Sequence, residues 1–257
     1  MFADLTVPRT PSFNEASVAD KHADVANLPL LDSAEIGQMD ELYRQRVRAM
    51  QAVDETVARV VEALYLSGQL QNTYLVFASD NGFHMGQHRL RQGKGTPYEE
   101  DIVVPLIVRG PGVPAGRTCD ALTALTDLMP TFVDLAGAVL PDYVDGRSLV
   151  PHLLGQAGVE QRQVVLIEGF SLSLTFFVGL RGKESKFVEF HTGELEQYDL
   201  VRDPYELHSL HTRTARTELL ALHRWLEALS RCTSQDCRAL ENGPPVLPWG
   251  YLPVVGR

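Results

Sequence analysis

The chain has no apolar run long enough to cross a bilayer and no Lys/Arg-rich stretch. The first absence excludes a transmembrane helix, which needs about 20 consecutive apolar residues. The second, joined to a formal charge of −10, disfavours nucleic acid as a partner, because such binders present a basic face. Met1 to Asn14 show no basic segment leading into an apolar one, so no secretory signal is expected in the chain as it stands. Ser171 and Ser173 lack a Gly-x-Ser-x-Gly elbow, which disfavours a serine hydrolase. Neither a His-Glu-x-x-His pair nor a Walker loop occurs.

Cysteine is also scarce, with three in 257 residues. Cys232 and Cys237 lie close together after a helical stretch. They can close a small loop as a disulfide, which implies an oxidising compartment, or form half of a zinc site, or stay as two reduced thiols. No further Cys or His lies nearby to complete a zinc site, and the spacing favours the disulfide. Cys119, between Thr118 and Asp120, reads as a small buried or half-buried residue.

What is present is ordinary globular composition, 44% hydrophobic and 22% charged, enough for one large domain alone or with a small one. Met1 to Asp32 read as irregular, with prolines at 8, 11 and 29. From Ile36 to Leu70 apolar residues recur at three- and four-residue steps, predicting a long amphipathic helix with one buried face, ended by Gly68. Tyr74 to Ala78 reads as a buried parallel strand delivering Ser79, Asp80, Asn81 and Gly82 at its end. Ile102 to Val108 reads as a second strand interrupted by Pro105, and Leu122 to Ala138 as a helix started or kinked by Pro130. Helix and strand in alternation argue for an α/β sheet covered by helices.

After Leu154 the pattern changes. Val164 to Glu168, Phe176 to Arg181, Lys186 to Phe190 and Glu194 to Asp199 read as short strands, with a hairpin turn at His191 to Gly193. Arg213 to Ser230 reads as a final amphipathic helix, and the proline-rich tail from Gly243 as extended over the surface. The division expected is an α/β part over residues 1–155 and a small α+β subdomain over residues 156–257, an antiparallel sheet with one packed helix.

Few residues carry chemistry. Asp80 and Asn81 offer adjacent hard oxygens for Ca²⁺ or Mg²⁺ at a strand end, where open α/β sheets bind ligands; a plain Asp-Asn-Gly turn is the competing reading. Two oxygens do not make a calcium site, and no second acidic cluster is evident. Lys94, flanked by Gly93 and Gly95, sets a compact positive charge where backbone can approach an anion. His84 and His88 are four apart, but Gly86 between them weakens a helical zinc pair. Either can touch an anion or protonate a leaving group, with a structural role competing for His84. Asp54 and Glu55 read as a solvated helix edge.

Leu75 to His88, Gly93 to Glu99 and Val104 to Gly112, in that order, resemble the second half of type I sulfatases, most closely the N-acetylglucosamine-6-sulfatase and arylsulfatase group. Asp127 to Gly137, Asp145 to Leu149, Tyr198 to Leu207 and the Cys232/Cys237 loop fit the same family, so the likeness runs from about Gln38 to Arg238. The resemblance implies the C-terminal part of an alkaline-phosphatase-like α/β domain followed by a small subdomain, and hydrolysis of sulfate esters on glycosaminoglycan-type sugars or aryl groups. It implies Asp80 and Asn81 as ligands of one Ca²⁺, Lys94 as a catalytic sulfate contact, and His88, with His84, as further substrate contacts. It also implies a formylglycine nucleophile made from Cys-x-Pro-Ser/Thr-Arg. None of the three cysteines lies in that motif, and neither the family's first aspartate pair nor its Ala-Pro-His segment has a match. The expectation is therefore a fragment, inactive alone, whose partner is the missing N-terminal half of the same fold and whose parent works outside the cytoplasm. A phosphodiesterase or phosphonate hydrolase of the same superfamily and a non-catalytic binding remnant are the alternatives.

Overall fold

The structure, a computed structural model, describes residues 2–169 and 176–245. Ser171, Ser173 and the tail from residue 246 lie outside the described residues.

The N-terminal segment is irregular apart from one short helix, α1 (Ala23–Ala26), yet it is firmly packed. The Arg89 guanidinium donates to the carbonyls of Glu15, Ala16 and Leu28 at 2.8, 2.7 and 2.8 Å, gathering two stretches of the segment onto one side chain. Helix α2 (Ser33–Leu66) follows, as the three- and four-residue periodicity predicts. Asp32 caps it by accepting from the amides of Ala34 and Glu35, while Glu35 returns a carboxylate to the Asp32 amide. Gly68, at φ +70°, takes the left-handed turn that ends it. Its first turns pack Met39 with Val7, Leu31 and Met85. Beyond them the apolar stripe Met50, Val53, Val57 and Val60 is exposed, so the expected buried face is buried only at its N-terminal end.

Strand β1 (Leu75–Ala78) pairs antiparallel with β4 (Leu106–Arg109), not in a parallel sheet, and β1 is half-buried rather than buried. Between them lie the two-residue strands β2 (His84–Met85) and β3 (Gln92–Gly93), which pair as a hairpin, and the single-turn helix α3 (Glu99–Ile102). His84 and His88 thus stand on a hairpin, not a helix. The second strand starts late because Ile102 belongs to α3 and Pro105 has no amide to give a ladder. Helix α4 spans only Leu128–Leu135, shorter than expected, because Ala124 donates its amide to Asp127 and a 3₁₀ turn occupies Leu125–Asp127. One-turn α5 (Val150–Leu153) leads to the C-terminal part.

There, β5 (Val164–Gly169), β6 (Phe177–Gly182), β7 (Ser185–Phe190) and β8 (Leu195–Asp199) form an antiparallel meander in sequence order. Helix α6 (Arg216–Ser230) covers one face through Leu226 and Leu229 on Val164, Leu180 and Phe187. The other face carries Tyr198 into a cluster with Val18, Val25, Leu90 and Tyr98, and buries Lys186, whose ammonium donates to the Pro97 carbonyl at 2.7 Å. Cys232 and Cys237 are disulfide-bonded, tying the end of α6 to α7 (Gln235–Glu241). Cys119 is exposed, against expectation, because its loop carries no apolar neighbours into the core.

Asp127 and Arg162 form a buried bidentate pair at 2.8 and 2.9 Å, with Glu241 completing the guanidinium's shell at 3.0 Å. Replacing one member strands the other charge away from water. Arg162→Ala is expected to lower the urea-unfolding free energy by about 3–5 kcal/mol; a loss below about 1 kcal/mol, the value of an exposed pair, contradicts this assignment. The exposed stripe on α2 predicts strong enhancement of a hydrophobic dye by the chain, reduced in V53E/V57E. No enhancement by the wild-type chain contradicts an open apolar face.

Candidate functional site

Asp80 and Asn81 leave the end of β1, and the turn after β3 brings Lys94 back to them. The Lys94 ammonium donates to Asn81 Oδ1 at 2.8 Å and lies 4.0 Å from Asp80 Oδ2. The side chains of Asp80 and Lys94 are 84% and 58% exposed, so this trio faces solvent. Three residues singled out from the sequence therefore meet on one open face.

What holds them there is buried. Asp101, on α3, accepts from the Thr96 amide and hydroxyl at 2.9 and 2.7 Å, which anchors the turn that carries Lys94. Its carboxylate also takes Nδ1 of His84 at 2.9 Å. Its own carbonyl accepts the Gly82 amide at 2.8 Å, just past Asn81. Gly82 is required here, since a Cβ at that position would sit 2.0 Å from the Glu100 carbonyl oxygen. Asp101 escaped the sequence reading. The only signal for it was its place at the end of the acidic run Glu99 to Asp101, which reads as a polar helix turn.

The histidines fare differently from expectation. His84 is buried, with Nε2 against Gly93, where a Cβ would lie 2.7 Å from it. It supports the turn next to Lys94 rather than standing open to a ligand. His88 has no exposed surface, so it offers no contact to a substrate on the open face. Its Nδ1 lies 2.7 Å from Glu15 Oε2 and its ring packs on Tyr98 at 4.1 Å. Burial first, then the Lys21 charge, pushes its pKa down to about 3, which keeps the ring neutral.

Two hard oxygens sit at the strand end, one bonded to the Lys94 ammonium at 2.8 Å and the other 4.0 Å from it. The donor set fits calcium, although Asp80 and Asn81 supply only two of the roughly six to eight oxygens that calcium takes. A second cluster, not evident in the sequence, brings His88 together with Glu100 and Glu206 in the interior.

Comparison with known proteins bears on the whole chain. The family model described as Sulfatase matches residues 8–138, and that described as N-sulphoglucosamine sulphohydrolase, C-terminal, matches residues 86–231. Sulfatase ppz1 of Metarhizium majus is 45% identical over 58% of this chain and 35% of its own length. N-acetylglucosamine-6-sulfatase of Bos taurus is 31% identical over 97% of this chain and 50% of its own. A protein solved in complex with its substrate D-glucosamine-2-N,6-O-disulfate superimposes with a TM-score of 0.73 at 28% identity, covering 82% of this chain and 44% of that one. The chain spans half or less of the length of these relatives. With one family model matched over residues 8–138 and another over residues 86–231, this chain belongs to the sulfatase family, and its fold is the alkaline-phosphatase-like fold of the family's solved members.

Proposed function

We propose that this chain forms the metal- and sulfate-facing strand end of a sulfuric ester hydrolase acting on sulfated sugars of the N-acetylglucosamine-6-sulfate type. The observation that carries the reading is the convergence of Asp80, Asn81 and Lys94 on one exposed face. Asp80 supplies a charged oxygen and Asn81 a neutral one to calcium, which when bound supplies the charge that neutralises sulfate oxygens. Lys94 then turns from Asn81 to the sulfate, placing an ammonium where negative charge accumulates in the transition state. Asp101 holds the Lys94 turn through Thr96 and His84, so little reorganisation is needed when substrate arrives. The sugar class rests on the N-acetylglucosamine-6-sulfatase relative and on the neighbour whose substrate is a glucosamine disulfate.

The reading needs a nucleophile that this chain does not contain. Cys232 and Cys237 are bonded to each other, and Cys119 is followed by Asp120 and Ala121 rather than by the Pro-Ser/Thr-Arg of a formylglycine motif. The nucleophile and the remaining calcium ligands come from a further α/β half, for which the exposed stripe of α2 offers a packing face. The Cys232–Cys237 disulfide and a relative named as an extracellular sulfatase support a site of action outside the cytoplasm.

Two measurements test this. The 257-residue chain alone is expected to release no 4-nitrophenol from 4-nitrophenyl sulfate; EDTA-sensitive release above a blank contradicts the need for a further half. In the complete enzyme, Asp80→Ala is expected to abolish calcium binding in calorimetry. Lys94→Ala is expected to keep calcium while lowering kcat about 10²–10³-fold, as for the loss of one anion-stabilising donor. Normal calcium binding by Asp80→Ala reduces Asp80, Asn81 and Gly82 to an ordinary turn.

A further inference from the structure

The hairpin between β2 and β3 turns through His88 at φ +51° and Arg89 at φ +63°. Two consecutive non-glycine residues in the left-handed region are costly, and the three backbone bonds of Arg89 hold them there. The result is an imidazole driven into the interior. With Glu15 accepting from Nδ1, the neutral ring presents a bare lone pair at Nε2, and among the described residues that atom has no hydrogen-bond partner.

Its neighbours are acceptors as well. One oxygen each of Glu100 and Glu206 and one nitrogen of His88 all lie within 4.8 Å of one another. Glu206 Oε1 takes the Lys186 ammonium at 2.5 Å, among the described residues the one cation that now stands on this cluster. The buried lone pair of His88 Nε2 thus sits among carboxylates with no donor of its own, and a positive centre shared with them satisfies it.

We propose that His88 Nε2, Glu100 and Glu206 bind a divalent transition-metal ion, with zinc as the best match, separate from the calcium-facing pair Asp80 and Asn81. One imidazole nitrogen with two carboxylate oxygens suits zinc, whereas calcium takes oxygen ligands alone. Each ligand already has the outer partner that such sites use. Glu15 fixes the His88 tautomer, Ser12 Oγ donates to Glu100 Oε1 at 3.2 Å, and the Glu99 amide donates to Glu206 Oε2 at 2.8 Å. Lys186 has other acceptors to keep when the ion arrives, at Glu99 Oε1 (3.0 Å) and the Pro97 carbonyl (2.7 Å). Glu100 is only partly buried and gives the ion a way in. The ion clamps the β2–β3 hairpin and α3 onto the loop after β8.

The test uses the full chain stripped with a chelator and titrated with Zn²⁺ against a chromophoric competitor. Tight uptake of one equivalent is expected, with Co²⁺ giving visible d–d bands and X-ray absorption showing nitrogen and oxygen at about 2.0–2.2 Å. Glu100→Gln, at the partly exposed rim, and His88→Gln are each expected to weaken zinc binding about 100-fold or more. Glu15→Gln is expected to weaken it about 10–100-fold through loss of the outer carboxylate, and Asp80→Ala to leave it unchanged. Circular dichroism checks folding, and Glu100→Gln decides the matter if His88→Gln does not fold. Absence of uptake by the wild-type chain overturns the proposal, as does uptake that survives Glu100→Gln, which marks an adventitious surface ion.

Discussion

A carboxylate removed from water must be surrounded by donors, and around Asp101 that requirement organises the site. The Thr96 amide and hydroxyl and His84 Nδ1 converge on its side chain, while the Gly82 amide binds its carbonyl. Those donors belong to the strand end that carries Asp80 and Asn81, to the hairpin strand beside it, and to the turn that carries Lys94. Satisfying the carboxylate and the carbonyl of one buried residue therefore fixes three stretches of chain relative to one another. The exposed trio needs no direct packing of its own, because its geometry is set from beneath.

The same economy operates between the two parts of the molecule. Lys186 projects from the inner face of the C-terminal sheet and meets Glu99, Glu206 and the Pro97 carbonyl, next to the Asp101 turn. Arg181 adds a second cation on Glu99 at 2.7 Å. Charge-assisted bonds of this kind are directional, so they set the orientation of the sheet against the site more sharply than the apolar cluster of Tyr98 and Tyr198 does alone. Glu206 is buried in this seam, and that burial pushes its carboxyl up to about 7 despite the nearby Lys186.

Much of this was legible in the residues. The long helix followed from its period, the meander from its alternating strands and the hairpin turn around Gly193, and the disulfide from cysteine spacing. The trio was legible because Asp-Asn-Gly at a strand end and a glycine-flanked lysine are local patterns. What escaped depends on partners distant in sequence. An apolar run such as Leu75 to Ala78 does not reveal whether its neighbour runs parallel or antiparallel. His88 read as an available histidine because nothing local signals that Glu15, 73 positions away, draws it inside. Asp101 was hidden in the same way, its partners being known only once the hairpin closes.

The most direct test of the site is a crystal structure of the complete enzyme with calcium and a glucosamine 6-sulfate bound. The ion is expected to lie about 2.3–2.6 Å from oxygens of both Asp80 and Asn81, with the Lys94 ammonium moved from Asn81 onto a sulfate oxygen and Asp101 still holding Thr96 and His84. Calcium bound elsewhere, with Lys94 remaining on Asn81 and the sulfate out of its reach, contradicts the account.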